Sequence, residues 1–374
     1  MSVAFTGATG FLGCRLVREL LARDTGEVVT VLGRGDAGTL RTRVEAAVGR
    51  LEGPPLPPGA LDRLRYTTVD LARPVLGLTP YECDRLTDGL TSLWHCAAMV
   101  NLQGDPASLY RANVLGTRGV LELADRAPRA RPIHISTAFV AGRRSTGHVL
   151  ETDLSDAWGF HVPYEESKFT AERLVHAWAR RTGRTATVLR PSLLVADRRV
   201  PEGLPDHPAG VLSRLVAGML RAKAREDVTA ARLLNGGSLT QRYRLPGEPA
   251  GTINVLQAGY AAAAMARAAA APSAPGVSTL HVTHPHNTPV ETVLGALAAP
   301  YPGVVLEMVP DLFAPTPDEA ELAGRLGGLL AYSSHRRTYD RAHLLRAVGG
   351  LPDPPPVTAA CLARATAPDG AADG

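Results

Sequence analysis

Tyr164 and Lys168 stand four residues apart in "PYEESKF" and would share one face of a helix. The ammonium is out of character for this chain: of its 40 basic residues only Lys168 and Lys223 are lysines, the rest being arginine. A free phenol titrates near ~10 and is a poor acid–base group at neutral pH. A neighbouring ammonium favours the phenolate and lowers that value. As a compact point charge it can also hold ribose hydroxyls, which a planar guanidinium does less well. With nine tyrosines and so few lysines, about 0.05 Tyr-x-x-x-Lys pairs are expected by chance; the plain reading is a solvated surface pair. One element earlier, "ISTAFVAG" ends a strand on Ser136 and Thr137. Either hydroxyl, at the carboxyl end of a strand where ligands sit, can bond a substrate carbonyl and stabilise its developing oxyanion. Alone, such a pair is more often a turn feature.

The stretch "TGATGFLG" places Gly7, Gly10 and Gly13 between a strand and a helix. Glycines there permit a tight turn and the approach of backbone N–H groups to a pyrophosphate, and the helix N-terminus adds partial positive charge. In this context the stretch reads as a dinucleotide-binding turn rather than a plain one, with Thr6, Thr9, Phe11 and Leu12 completing the loop. An NAD site wants an acid at the end of the second strand, and an NADP site an arginine. The strand ends "VLGRGD", which offers Arg34; Asp36 falls in the turn, and Arg43 on the next helix can add a contact. The charge argues for NADPH, against the alternative of solvated arginines in so Arg-rich a chain.

Strand and helix must alternate to carry these residues, and they do. "SVAFT", "EVVTVLGR", "RYTTVD", "SLWHCAA", "RPIHIS" and "TATVLRPSLLV" read as strands, with amphipathic stretches such as "FLGCRLVRELLARD" between most of them. The helix from "YEESK" runs to a C-terminal stop at Gly183. The expected fold is α/β, a Rossmann-type doubly wound, mostly parallel sheet with a smaller C-terminal substrate-binding cap. Residues 1–199 form the dinucleotide-binding domain, completed at about 251–285, where "TINVLQ" is the strand expected to finish the sheet. Residues 200–250 and 286–365 form the cap, and 366–374 a disordered tail.

Bulk properties exclude little and agree with this. Apolar residues make up 45% and charged residues 20%, ordinary for a globular protein. A net charge of +4 over 374 residues does not mark a nucleic-acid stripe. Cys14, Cys83, Cys96 and Cys361 have no metal-like spacing and are expected as reduced thiols in a cytoplasmic protein. No signal peptide or membrane-spanning run is visible. In "HVTHPH", a strand would turn His284 and His286 to one side and His281 to the other, a poor metal site. Arg214, Arg221 and Arg225 fall on one face of a cap helix, where they can meet CoA phosphates or an acidic carrier protein, though a solvated face is the commoner case.

The glycine turn, "NVLGT", "ISTAFVAG", "YEESK" and "LRPS", in this order, resemble the extended short-chain dehydrogenase/reductase superfamily. "VDLARPVLGL", "HCAAMVNL", "YEESKFTAE" and "LRPSLLVAD" are similar to its thioester (carboxyl) reductase branch, the fatty acyl-CoA reductase-like domains, over about residues 3 to 290. The resemblance implies Thr137 as oxyanion donor, Tyr164 as proton donor and Lys168 as the ribose and pKa partner. It implies Asp70 and Leu71 at the adenine, Ala97 and Ala98 along the cofactor channel, Asn113 in support, and Pro191 and Ser192 near the nicotinamide. Where that branch usually carries Asp before Tyr in a later segment, this chain reads Gly259–Tyr260. Ala138 and Phe139 follow Thr137 where sugar dehydratases of this fold carry acids.

The expected activity is NADPH-dependent reduction of an acyl thioester to an aldehyde, and on to the alcohol by a second hydride, in secondary metabolism. The chain starts at its first strand and has no adenylation or carrier domain, so the thioester is expected from a separate carrier protein or as acyl-CoA. The alternatives are a ketone reductase, hydroxy dehydrogenase or sugar epimerase of the same superfamily, and a non-catalytic NADP-binding protein.

Overall fold

A computed structural model describes residues 2–23, 25–53, 55–102, 104–207, 210, 218, 240–273, 275–301 and 303–366. Seven parallel strands form its main sheet: β1 Ser2–Thr6, β2 Val28–Gly33, β3 Leu64–Thr68, β4 Leu90–His95, β5 Arg131–Ile135, β6 Ala186–Pro191 and β7 Val277–Val282. Their order across the sheet is β7-β6-β5-β4-β1-β2-β3. The chain winds outward one way from β1 through β2 and β3, then returns to β4 on the other side of β1. The crevice between β1 and β4 is therefore the topological switch point, where such sheets bind ligands. Thr6 pairs with Leu32 of β2 and with His95 of β4, so the carboxyl ends of these strands are level.

Apolar stripes place the helices. On one face, α1 Phe11–Ala22 and α2 Ala37–Arg50 bury Leu16, Val17, Leu20, Leu40, Val44 and Val48 against Val3, Phe5 and Val31 of the sheet. On the other, α3 Gly116–Arg126 and α4 Pro163–Thr182 bury Val120, Leu123, Val175 and Trp178 against Ala4, Leu93 and Val188. α4 starts on Pro163, carries Glu165 and Glu166 in its first turn and Arg180 and Arg181 in its last, and stops at Gly183 in the left-handed conformation. Each of these suits the helix dipole or the cap.

One sequence expectation needs correction. "TINVLQ" does not finish the sheet. It makes two short strands, Thr252–Ile253 and Val255–Gln257, paired with Thr288–Pro289 and Leu193–Val195 outside it. Asn254 interrupts the run: its side chain donates to the His284 carbonyl and accepts from the His284 N–H, pinning it to the loop after β7. The alanine-rich helix α5 Ala258–Ala270 then packs closely on α1, and its crossover returns the chain as β7, beside β6.

The cap has a core of its own. Gln241–Pro246 pairs in parallel with Val304–Val309, and Tyr243, Leu245 and Leu306 pack with Leu294, Leu322 and Leu326 from helices Val290–Ala298 and Pro317–Leu330. A last helix, Ala359–Thr366, ends on buried Thr366. Arg214, Arg221, Arg225 and residues 367–374 lie outside the described residues. Among the described residues no helix is long and apolar enough to cross a membrane.

Candidate active site

The glycine turn sits at the switch point. Gly7 has φ +82°, and a Cβ there would lie 2.5 Å from the Ala97 nitrogen, so only glycine lets the turn press on the end of β4. A Cβ on Gly13 would overlap the Gly7 carbonyl oxygen, so α1 also packs on the turn through a glycine. Gly10 donates to Gly7 (3.0 Å) and heads α1 without a side-chain cap, and the first turn of α1 has no acid. Its leading N–H groups thus meet no competing carboxylate, which suits a pyrophosphate.

Thr6 is fully buried and fastens the two central strands. Its hydroxyl is 2.9 Å from His95 Nδ1 and accepts from the Ala97 N–H at 3.3 Å. His95 Nε2 continues to Thr117 Oγ1 at 3.1 Å, and Thr117 donates to the Asn113 carbonyl. Asn113 lies in Tyr110–Leu115, a π-turn that runs on from Pro106–Leu109 and into α3; such turns often mark functional sites. The Asn113 amide accepts from Met99 N–H, donates to the Met99 carbonyl and donates to Ser167 Oγ at 2.9 Å. It therefore ties the backbone after Ala97 and Ala98 to α4, between Tyr164 and Lys168.

The carboxyl ends of β5 and β6 bring the remaining groups together. Thr137 is buried, donates to the Pro191 carbonyl at 3.4 Å and accepts from the Phe139 N–H. Ser136 turns the other way and donates to Glu172 at 2.6 Å. Glu172 is in turn paired with Arg190 at 2.6 Å, both almost wholly buried, and Arg190 also meets His281 Nε2 at 3.2 Å. Burial works against the Glu172 charge, but Arg190, with the hydrogen bond from Ser136, holds its carboxyl well below the usual range. The pair ties the middle of α4 to the end of β6. Ser192 Oγ is buried without a hydrogen-bond partner.

Tyr164 and Lys168 are both buried on α4. Lys168 donates to the Ile135 carbonyl at 2.5 Å, leaving two N–H groups for other acceptors. Burial lowers its pKa to about 8, with Cys96 and Glu172 opposing. The lowered phenol expected from the sequence is not found. Burial raises Tyr164 above its ordinary value, and Cys96 and Glu165 push the same way. Burial likewise drives Cys96 up to about 12, so this thiol is inert rather than nucleophilic.

A family model described as Male sterility protein, an NAD-binding family, matches residues 5–231. The chain belongs to this family. That places it in the thioester reductase-like branch of the extended short-chain dehydrogenase/reductases. It is 34% identical over 195 residues to the isonitrile lipopeptide synthase of Streptomyces coeruleorubidus, matching 52% of this chain and 13% of that protein. The chain thus spans a small part of that synthase's length. It is 29% identical over 266 residues to sterol demethylase protein B of Methylococcus capsulatus, covering 69% of this chain and 73% of that one. Among solved structures it is similar to the terminal R domain from the myxalamid PKS-NRPS biosynthetic pathway, with a TM-score of 0.74 and 23% identity over 97% of this chain and 88% of that one.

Within this family fold the residues singled out in the sequence fall in two groups. Gly7, Gly10, Gly13, Ala97, Ala98, Thr137, Tyr164, Lys168, Pro191 and Ser192 come from the ends of β1, β4, β5 and β6, from the start of α1 and from α4. Thr9 is half-buried in the turn, while Phe11 and Leu12 pack into the core. Arg34, Arg43 and Asp70 form the outer rim, all exposed past the ends of β2 and β3, with Leu71 half-buried against Gly116. Asp36 caps α2 by accepting from the Thr39 N–H at 2.8 Å, so its carboxylate is taken. Of the "HVTHPH" histidines, His281 belongs to β7 and His284 to the loop beyond it; among the described residues no group of metal ligands forms. The sequence did not point to Glu172–Arg190, to His95 or to Ser167. Their signal was a polar residue inside an apolar strand or helix face, as in "LWHC", which periodicity alone treats as noise.

Proposed function

We propose that this chain is an NADPH-dependent reductase that converts an acyl thioester to an aldehyde. The observation that carries the proposal is the convergence of Thr137, Tyr164 and Lys168 beside the glycine turn, in a chain of the reductase-like branch. The site suits a dinucleotide: the turn admits no Cβ at Gly7, α1 offers an uncapped N-terminus free of acids, and Ser192 Oγ is an orphaned buried polar atom where the nicotinamide end would lie. Such a cofactor, when bound, supplies the hydride.

The chain's own groups do the rest. Hydride addition to the thioester carbon pushes an electron pair onto the carbonyl oxygen. Thr137 turns its hydroxyl from Pro191 to that oxygen, and Tyr164 hydrogen-bonds it and delivers the proton. The raised phenol pKa keeps Tyr164 protonated at neutral pH, as an acid for reduction requires. Lys168 holds the ribose with its remaining N–H groups and favours the phenolate left behind. The tetrahedral hemithioacetal then breaks its C–S bond, giving aldehyde and free thiol; a second round gives the alcohol. Arg34 and Arg43, exposed past β2, are the residues to hold a 2′-phosphate. The resemblance to synthetase domains favours delivery of the acyl group on a carrier protein, with acyl-CoA as the other source.

The long match to sterol demethylase protein B favours a second reading, a hydroxy or keto oxidoreductase. The test is oxidation of NADPH and of NADH with an acyl-carrier thioester, an acyl-CoA and a ketosteroid, with carbonyl products trapped as oximes. Aldehyde from a thioester with NADPH supports the proposal; turnover of the ketosteroid alone overturns it.

A further inference from the structure

A cleft of about 490 Å³ opens at the amino ends of β6 and β7, the end of the sheet opposite the glycine turn. Its volume is that of a small-ligand site. It lies between α5 and the helix Ala342–Val348. Two hydroxyls build its floor. Ser278 and Thr187 are register partners on the parallel pair β7–β6, so their side chains share a face one strand spacing apart, about 4.8 Å. Thr187 is 1% exposed, and its hydroxyl has no hydrogen-bond partner. Buried hydroxyls seldom go unpaired. A third hydroxyl, that of Ser273, accepts from Arg131 at 2.8 Å, which leaves its own hydrogen to donate.

The helix side of the cleft adds positive charge. His343 and Arg346 are three residues apart, on one helix face, and both line it. His343 Nδ1 meets the Thr279 carbonyl at 3.1 Å. A carbonyl only accepts, so the hydrogen sits on Nδ1 and Nε2 is left for another group. Arg346 is exposed and forms no ion pair with any described residue. Among the described residues no acid lines the cleft, and Ala268, Ala271, Leu280 and Ala347 give it apolar walls. Donors and a cation without a carboxylate call for an anion. Two hydroxyls side by side match the two oxygens of a carboxylate, and the alanine walls match a short alkyl chain. We propose that this cleft binds a small carboxylate with a short apolar body. Its oxygens accept from Ser278 and Thr187, and His343 and Arg346 supply the charge. The site is separate from the glycine turn and from Tyr164, and the proposal does not rest on the thioester-reductase reading.

The experiment titrates the whole chain with hexanoate by calorimetry, with and without saturating NADPH, and then with hexanol and with inorganic phosphate. The proteins are the wild type, Thr187→Val and Arg346→Gln. Thr187→Val keeps the shape and removes only an unpaired hydroxyl, and Arg346 is exposed, so both variants fold; melting temperature and NADPH affinity should match the wild type. The proposal expects one hexanoate per chain with a Kd of roughly 1 mM or tighter, indifferent to NADPH. Hexanol and phosphate should each bind at least about tenfold more weakly. Each variant should weaken hexanoate by roughly tenfold. Absence of saturable binding overturns the proposal, as does phosphate binding as tightly as hexanoate. Hexanoate binding that neither variant changes, or that NADPH displaces, places the carboxylate elsewhere and overturns it too.

Discussion

The Lys168 ammonium donates to the Ile135 main-chain carbonyl across 2.5 Å, although the two residues are 33 positions apart. This bond crosses from α4 to the end of β5, one residue before Ser136. It fixes the lysine at the carboxyl end of β5, two residues before Thr137. An arginine could not make it in the same space, because its planar fork places charge farther from the helix.

Burial lowers Lys168 to about 8, so the ammonium is present below that pH and lost above it. The rate of reduction should be flat from neutrality and fall as pH rises through about 8, with Tyr164 protonated throughout. A kcat/KM–pH profile checks this. Lys168→Arg should keep the charge at every pH and still lose activity by a factor on the order of 100 or more.

Gly7→Ala meets both a positive φ and the Ala97 backbone. The turn must shift, and dinucleotide affinity should fall at least tenfold while thermal stability drops by about 1–3 kcal/mol. Titration of NADPH by fluorescence and a melting curve measure both. Gly26, whose added Cβ meets nothing within 4 Å, serves as the control: its alanine variant should bind NADPH normally.

Arg34→Ala should weaken NADPH more than NADH. Loss of one charge-assisted contact to a 2′-phosphate amounts to about 1.5–3 kcal/mol, or roughly ten- to a hundredfold in the ratio of the two affinities. Equal effects on both cofactors would remove Arg34 from the site.

Glu172→Gln leaves the Arg190 guanidinium buried without its ion pair, and should cost about 3–5 kcal/mol. The depressed carboxyl of Glu172 contributes stability that is fully present above the unfolded value of ~4.3 and is lost as pH falls toward the folded one. The wild type should therefore lose more stability than the variant on acidification below that value, as seen in melting temperatures across the acid range.

Much of the placement of the candidate site was legible because its signals are local. The glycine spacing, the Tyr164–Lys168 face and the strand-end Thr137 each obey a short-range rule, and the sheet places them together once the alternation of strand and helix is granted. The choice between Ser136 and Thr137 was not local. Glu172 and Arg190, 36 and 54 residues beyond Ser136, draw Ser136 inward and so support Thr137 as the proposed donor. The seventh strand was misread because "TINVLQ" has strand composition, yet Asn254 binds the loop at His284 and breaks it. The phenol's raised pKa was missed because the sequence shows the neighbouring charge and not the burial.

The proposed reaction has Tyr164 give its proton to a thioester-derived oxygen. Its most direct test is a stoichiometric assay of thiol released, aldehyde trapped and NADPH consumed from one acyl-carrier thioester, with the wild type and with Tyr164→Phe. Equal amounts of all three are expected at early times for the wild type, with a loss of at least a hundredfold in rate for the variant and NADPH affinity unchanged. Thiol release without NADPH consumption, or full activity in Tyr164→Phe, would contradict it.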